Sequence, residues 1–279
     1  MEKIALITDS ASDVSKEIIE KYNIHVLPFR IIYEKKEYLD RVDISPEEIY
    51  NNFDREIPTS SLPSLSDMEN LFKKLKDEGY THAIGITLSS GLSGIYNALK
   101  LVSEDHSEIE SFIFDSKSIS IGEGVLVQEC GKMIVEGKTF DEIKKALPIM
   151  KSKLHIFFVV GTLKYLKKGG RIGKVAGTIG DILNLKPIIT MHDDGSYTTY
   201  DKVRGRKQSL RRLVDIISTY TNKGKVYLMH GNAEEEMKTV YESLKELPNV
   251  ISVYLGENIS PVAGVHSGPG LVGVGYFEV

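Results

Sequence analysis

Cysteine is almost absent: Cys130 is the single thiol in 279 residues. One cysteine excludes an internal disulfide framework and fits a reducing compartment. It lies in an apolar helical stretch, where a buried structural thiol is expected rather than a nucleophile. No apolar run approaches the ~18 residues that a membrane-spanning helix needs. There is no excess of positive charge either. The formal net charge is −4, which argues against nucleic-acid binding by bulk electrostatics. The start, "MEKIALITDS", enters a strand at once and carries no signal-peptide pattern, so a cytoplasmic location is expected. The histidines show no H-x-x-x-H spacing, and no metal site is expected. A phosphate loop needs G-x-x-x-x-G-K-[ST]. The nearest stretch, "GGRIGKV", has Gly169 and Gly173 one residue too close and Val175 in place of the hydroxyl. The chain has no ATP-binding motif of its own, no internal repeat and no low-complexity linker.

What is present is an alternation. Hydrophobic residues make up 41% of the chain, enough for a substantial core in one large or two ordinary domains. "KIALITDS", "THAIGITL" and "SFIFDS" read as strands, separated by helical patterns. "SPEEIYNNF" has Ser45 as N-cap and Pro46 at the first helical position. "SLSDMENLFKKLKDEG" places Leu65, Met68, Leu71, Phe72 and Leu75 on one face, with Gly79 ending the helix. This order predicts an α/β fold with a mostly parallel sheet flanked by helices over residues 1–150. Residues 151–279 read as a second α/β domain. It contains a hairpin around Asp194-Gly195, a basic, Gly-rich stretch "TLKYLKKGGRIGKVAGTIGDILN" that is helical in parts, and a Gly/Pro turn at "PVAGVHSGPG" feeding a last strand.

Four polar constellations stand out. Thr8, Asp9 and Ser10 end the first strand, where ligands gather in parallel α/β sheets; a helix cap fits them equally well. "PTSSLPS" sets Thr59, Ser60 and Ser61 between prolines, as an oxyanion loop or as a turn and cap. "LSSGLSGIYNALK" follows a strand and opens a helix, whose first N–H groups lack intrahelical partners and favour an anion. Ser89, Ser90, Ser93, Gly91 and Gly94 all suit close approach to a carboxylate or phosphate. Ser93 does not sit in a nucleophile elbow, which requires G-x-S-x-G; here glycine follows serine directly. His266 lies in "VHSGPG", as a turn residue or a donor to a ligand oxygen. Two basic runs, "KYLKKGGRIGK" and "KVRGRKQSLRR", read as a solvated helix face or as a contact for phosphate or an acidic partner.

Together "TDSASDV", "PTSSLPS", "LSSGLSGIYNA", "KGGRIGK", "YDKVRGRKQSL" and "HSGPGLVGVGY" resemble the DegV family, in order, from about residue 4 to the C-terminus. Those are bacterial fatty-acid-binding proteins, including the fatty-acid-binding subunits of fatty acid kinase. The resemblance implies a two-domain fold with a long acyl chain buried inside. It implies a carboxylate held by Ser60 (flanked by Thr59), Ser93 with Gly94, and His266. It implies a kinase partner that takes the phosphate from ATP and docks through Arg204 and Arg171. The ligand is then a long-chain fatty acid, with no further cofactor, no nucleic acid, no membrane span and at most a transient membrane contact. Two other readings stay open: a serine hydrolase or acyl transferase using Ser93, His266 and Asp9, and a module sensing a phosphorylated ligand.

Overall fold

A computed structural model of the chain describes residues 2–178 and 184–279. The helical reading of the Gly-rich stretch extends over 179–183, which lie outside the described residues. Within them it holds a short helix, Lys164–Lys168, and a 3₁₀ segment, Gly173–Thr178.

The strands are β1 (Ile4–Asp9), β2 (Ile24–Leu27), β3 (Arg30–Ile32), β4 (Glu37–Leu39), β5 (Thr59–Ser61), β6 (His82–Thr87) and β7 (Glu110–Asp115) in the first half. The second half contributes β8 (Leu154–Val159), β9 (Leu185–Met191), β10 (Tyr197–Arg204), β11 (Gly224–Gly231), β12 (Val250–Asn258) and β13 (Leu271–Glu278). One sheet, ordered β2-β1-β6-β7, is wholly parallel. Its central strands are buried on both faces, which explains their unbroken apolar runs. The second sheet, β10-β9-β8-β13-β11-β12, is mixed: only β11 and β12 run parallel. A small antiparallel sheet, β4-β3-β5, stands apart.

The helix Ile121–Val135 lies between the two large sheets, touching β1 and β6 on one side and β8, β11 and β13 on the other. It is apolar nearly all round, as a helix enclosed by two sheets must be. Helix Ile95–Asp105 packs on β6 and β7, with Leu65–Asp77 against it. Helices Arg206–Ser218 and Glu234–Leu244 pack on the mixed sheet. Successive side chains of β8 feed different cores: Ile156 and Phe158 join the one shared by both halves, and Phe157 and Val159 the one under helices Arg206–Ser218 and Glu234–Leu244.

The cap read at Ser45 holds, and two more serines act alike. Ser15, Ser45 and Ser64 each accept a hydrogen bond from a first-turn N–H, the last two within capping boxes. The hairpin of β9 and β10 turns at Asp194-Gly195 as expected. Three details differ. Leu65 is 52% exposed, because it opens its helix a turn before the buried stripe of Met68, Phe72 and Leu75. The loop "PTSSLPS" supplies β5, since Thr59–Ser61 find backbone partners along β3. "PVAGVHS" is a helix, Pro261–Ser267, with Pro261 at its first position; only Gly268–Gly270 form the turn.

Candidate functional site

Helix Pro261–Ser267 brings the site together. It belongs to the second half of the sequence, yet it packs on β3, β5, the 3₁₀ turn Ser10–Ser12 and helix Pro46–Asn52 of the first. His266 sits on its last turn, facing β5. Ser60 Oγ lies 2.8 Å from His266 Nε2. Burial, and then the positive charge of Arg171, push the His266 imidazole down to about 4, so the ring is neutral at pH 7. Its Nδ1 is buried with no hydrogen-bond partner among the described residues. Gly169 packs directly on that nitrogen: a Cβ there would overlap the ring. Arg171 reaches from the same loop and donates to the carbonyls of Leu92 and Gly169, at 3.3 and 2.5 Å.

The serine-rich loop divides its labour. Ser89 Oγ donates to the carbonyl of Gly195 at 2.7 Å and so ties the loop to the β9–β10 hairpin. Gly91 has no room for a side chain there, because the Gly195 backbone lies against it. Ser90 takes a 2.8 Å hydrogen bond from Lys117, and its N–H donates to Asp115. Both serines are therefore structural. Ser93 accepts from the Ile95 N–H at 3.3 Å, just ahead of the helix's cap position at Gly94, and it also faces a cavity.

That cavity, of about 250 Å³, has a polar end at Ser60, Ser61, Ser93, Gly94, Arg171 and His266. Its remaining walls are Phe29, Leu62, Leu88, Leu92, Ile119 and Tyr197 among others. A second, almost wholly apolar cavity of about 40 Å³ shares Ile119, Tyr197 and Ala263 with the first and runs on between the mixed sheet and the start of the central helix. Of the sequence-derived residues, Ser60, Ser93, Gly94 and His266 meet here. Thr59 is exposed and does not line the cavity; its neighbour Ser60 carries the inward hydroxyl. Arg171, expected at a docking surface, lines the cavity instead, whereas Arg204 stays exposed at the end of β10. Tyr197 was not foreseen: it follows the hairpin turn, and no spacing in the sequence marks it.

Asp9 serves the fold. Its carboxylate accepts from the Leu88 N–H at 2.8 Å and the Ala11 N–H at 3.0 Å, capping the Ser10–Ser12 turn. Burial pushes it up to about 7. Asp9, His266 and Ser93 form no hydrogen-bonded chain among the described residues, since His266 pairs with Ser60 and Asp9 with backbone amides. A triad geometry is not assembled. Among the described residues no cluster fit to hold a metal ion occurs, and no helix is long and apolar enough to cross a membrane.

Fold and site thus define a class: a two-sheet α/β protein enclosing a cavity with hydrogen-bond donors and a guanidinium at one end and hydrocarbon at the other. The family description "Uncharacterised protein, DegV family" matches residues 3–279, and the chain belongs to the DegV family. A DegV domain-containing protein of Clostridium acetobutylicum is 61% identical over 280 residues, covering all of both chains. Among solved structures, a DegV family protein from Thermus thermophilus described by its fatty acid binding superposes with a TM-score of 0.91 at 25% identity, covering 99% of this chain and 100% of that one. A stearic-acid-binding protein from Eubacterium ventriosum superposes at 0.85 with 30% identity, covering 100% of this chain and 98% of the other.

Proposed function

We propose that this protein binds one long-chain fatty acid, with the carboxylate at Ser60, Ser93, His266 and Arg171 and the acyl chain in the apolar cavity. The observation that carries this reading is the cavity's polarity. An ionised carboxylate leaves bulk water only where several donors and a counter-charge replace it. The hydroxyls of Ser60 and Ser93 and the guanidinium of Arg171 supply them at one end only, and the imidazole orients the Ser60 hydroxyl. Each methylene buried beyond that end adds about 0.8 kcal/mol. With Nε2 protonated, His266 donates to Ser60 Oγ and leaves the serine hydroxyl free to donate to the carboxylate. That tautomer also leaves a lone pair rather than an N–H unpartnered at Nδ1, the cheaper alternative.

Organic extraction of the purified protein followed by mass spectrometry is the direct test. A stoichiometric long-chain fatty acid is expected; a well-folded protein yielding none, or yielding a phosphorylated metabolite, overturns the reading. The finer part of the proposal is that the bound carboxylate is presented to a separate kinase subunit, which transfers phosphate from ATP to give an acyl phosphate. The lack of an ATP-binding motif in this chain supports a carrier role. Exposed Arg204 and its basic neighbours offer an acidic partner a contact, and Arg204→Glu is expected to slow acyl-phosphate formation by an added fatty acid kinase catalytic subunit while fatty acid binding persists.

A further inference from the structure

The strand β13 carries a gap in its side chains where the apolar cavity ends. Its inward face reads Leu271, Gly273, Gly275, Phe277, all turned toward the core shared by the two halves. Gly273 is paired across the sheet with Phe158 on β8 and with Met229 on β11. Directly opposed residues share a face, so Phe158 and Met229 flank the missing side chain. All three line the second cavity, together with Leu271. A Cβ built on Gly273 meets Leu271 Cδ2 and the Phe158 Cβ at 3.7 Å and the Met229 carbonyl at 3.9 Å, ordinary van der Waals separations. The fold therefore has room for a side chain at 273. Gly275, two residues on, differs: a Cβ there comes within 3.2 Å of both Ile121 and Ile156. A strand interior also disfavours glycine, because it leaves nothing to pack. At 275 close packing accounts for the glycine; at 273 the open space is what the glycine provides.

We infer that Gly273 sets the acyl-chain length this protein accepts, by keeping open a notch between Phe158 and Met229 that receives the methyl end of the ligand. The inference rests on the fatty-acid reading above and adds the place where the chain ends. The second cavity, about 40 Å³, holds roughly three water-sized groups, comparable to the last few carbons of an acyl chain. A valine at 273 fills it with three carbons and suits a strand. Each methylene withdrawn from water is worth about a fourfold change in affinity, so excluding three weakens binding on the order of fiftyfold.

The test measures dissociation constants for saturated fatty acids from C10 to C20 on delipidated wild type, Gly273→Ala, Gly273→Val and Met229→Ala. Expected is a stepwise shift of the optimum toward shorter chains from wild type through Ala to Val, with long-chain affinity falling on the order of fiftyfold in Gly273→Val and short-chain affinity kept. Met229→Ala is expected to move the optimum the other way. Thermal melts and far-ultraviolet circular dichroism establish that each variant is folded, and Gly273→Ala, which meets only ordinary contacts, keeps the test alive should the valine variant misfold. An unchanged chain-length profile in folded Gly273→Ala and Gly273→Val overturns the inference while leaving fatty acid binding intact. Wild type that binds none of the series overturns the parent reading instead.

Discussion

His266 enters the cavity as a neutral ring. Its folded value of about 4 lies below the ordinary histidine value of 6.5. The unfolded chain therefore takes up a proton between pH 6.5 and 4 that the folded protein refuses. This histidine's contribution to stability is complete above pH 6.5 and is lost as pH falls toward 4. Ligand-free His266→Gln is expected to lose less stability than wild type over that interval, as read by urea melts at pH 7 and pH 5; parallel losses would contradict the buried neutral ring. Truncation is a different experiment. Ser93→Ala is expected to weaken fatty acid binding by about 1–3 kcal/mol, the cost of a lost hydrogen bond to a charged group, and His266→Ala to weaken it by freeing the Ser60 hydroxyl from its orienting partner. Calorimetric titration of delipidated protein checks this, and unchanged affinity would remove the residue from the carboxylate site. Tyr50 offers a contrast. Its hydroxyl is buried against the His266 helix without a hydrogen-bond partner among the described residues. Tyr50→Phe is expected to be neutral or slightly stabilising in a thermal melt.

At the scale of elements, one carboxylate anchors the helix that carries His266. Asp13 Oδ1 accepts from the Ser260 N–H at 2.7 Å and from Arg41 at 3.0 Å, and Oδ2 accepts from Ser120 Oγ. Arg41 reaches on to the Asn258 carbonyl at 2.9 Å. The start of the central helix and the start of the His266 helix thus hang from one buried side chain. Asp13→Ala leaves these donors unsatisfied and is expected to cost about 3 kcal/mol in a urea melt, with Asp13→Asn recovering part of it. The central helix carries a second device. Glu123 is fully buried, accepts from Thr8 Oγ1 at 3.0 Å and lies beside Asp9. Burial, reinforced by the charge of Asp9, raises it well above the ordinary carboxylate range. The folded state keeps a proton that the unfolded chain releases, so stability tied to Glu123 is lost as pH rises. Glu123→Gln retains the shape without the proton. It is expected to gain on wild type by up to about 1.4 kcal/mol per pH unit as pH rises above the ordinary carboxylate range. A pH-independent difference in melts would show that Glu123 stays ionised.

The larger of the two cores crosses the middle of the sequence. Ile7, Ile84 and Leu126 from the first half and Ile156, Phe158, Val262 and Phe277 from the second belong to the same buried cluster. We propose residues 1–150 and 151–279 as the two units, and this shared core makes their stabilities inseparable. A single calorimetric transition is expected for the intact chain, with residues 1–150 alone failing to give a cooperative melt. Two resolved transitions would show that the units fold independently.

Local physics was legible in the sequence. The alternation of apolar runs with capped helices determined the α/β class, because period and cap chemistry act over a few residues. Ser45 with Pro46 and the Asp194-Gly195 turn are read correctly without any tertiary knowledge. The ordered motifs marked Ser60, Ser93 and His266 as candidates, and the lack of a phosphate loop was plain. Long-range contacts decided the rest. Ser60 and His266 are 206 residues apart in the chain and 2.8 Å apart in space. Apart from the family motif, nothing local separated Ser93, which faces the cavity, from Ser89 and Ser90, whose partners Gly195, Asp115 and Lys117 arrive from other elements. Arg171 was marked by its motif as a docking residue, and only the fold showed that it lines the cavity. Gly273 looked like any glycine of a Gly-rich strand, because a missing side chain acquires meaning only from the neighbours that leave its space unfilled.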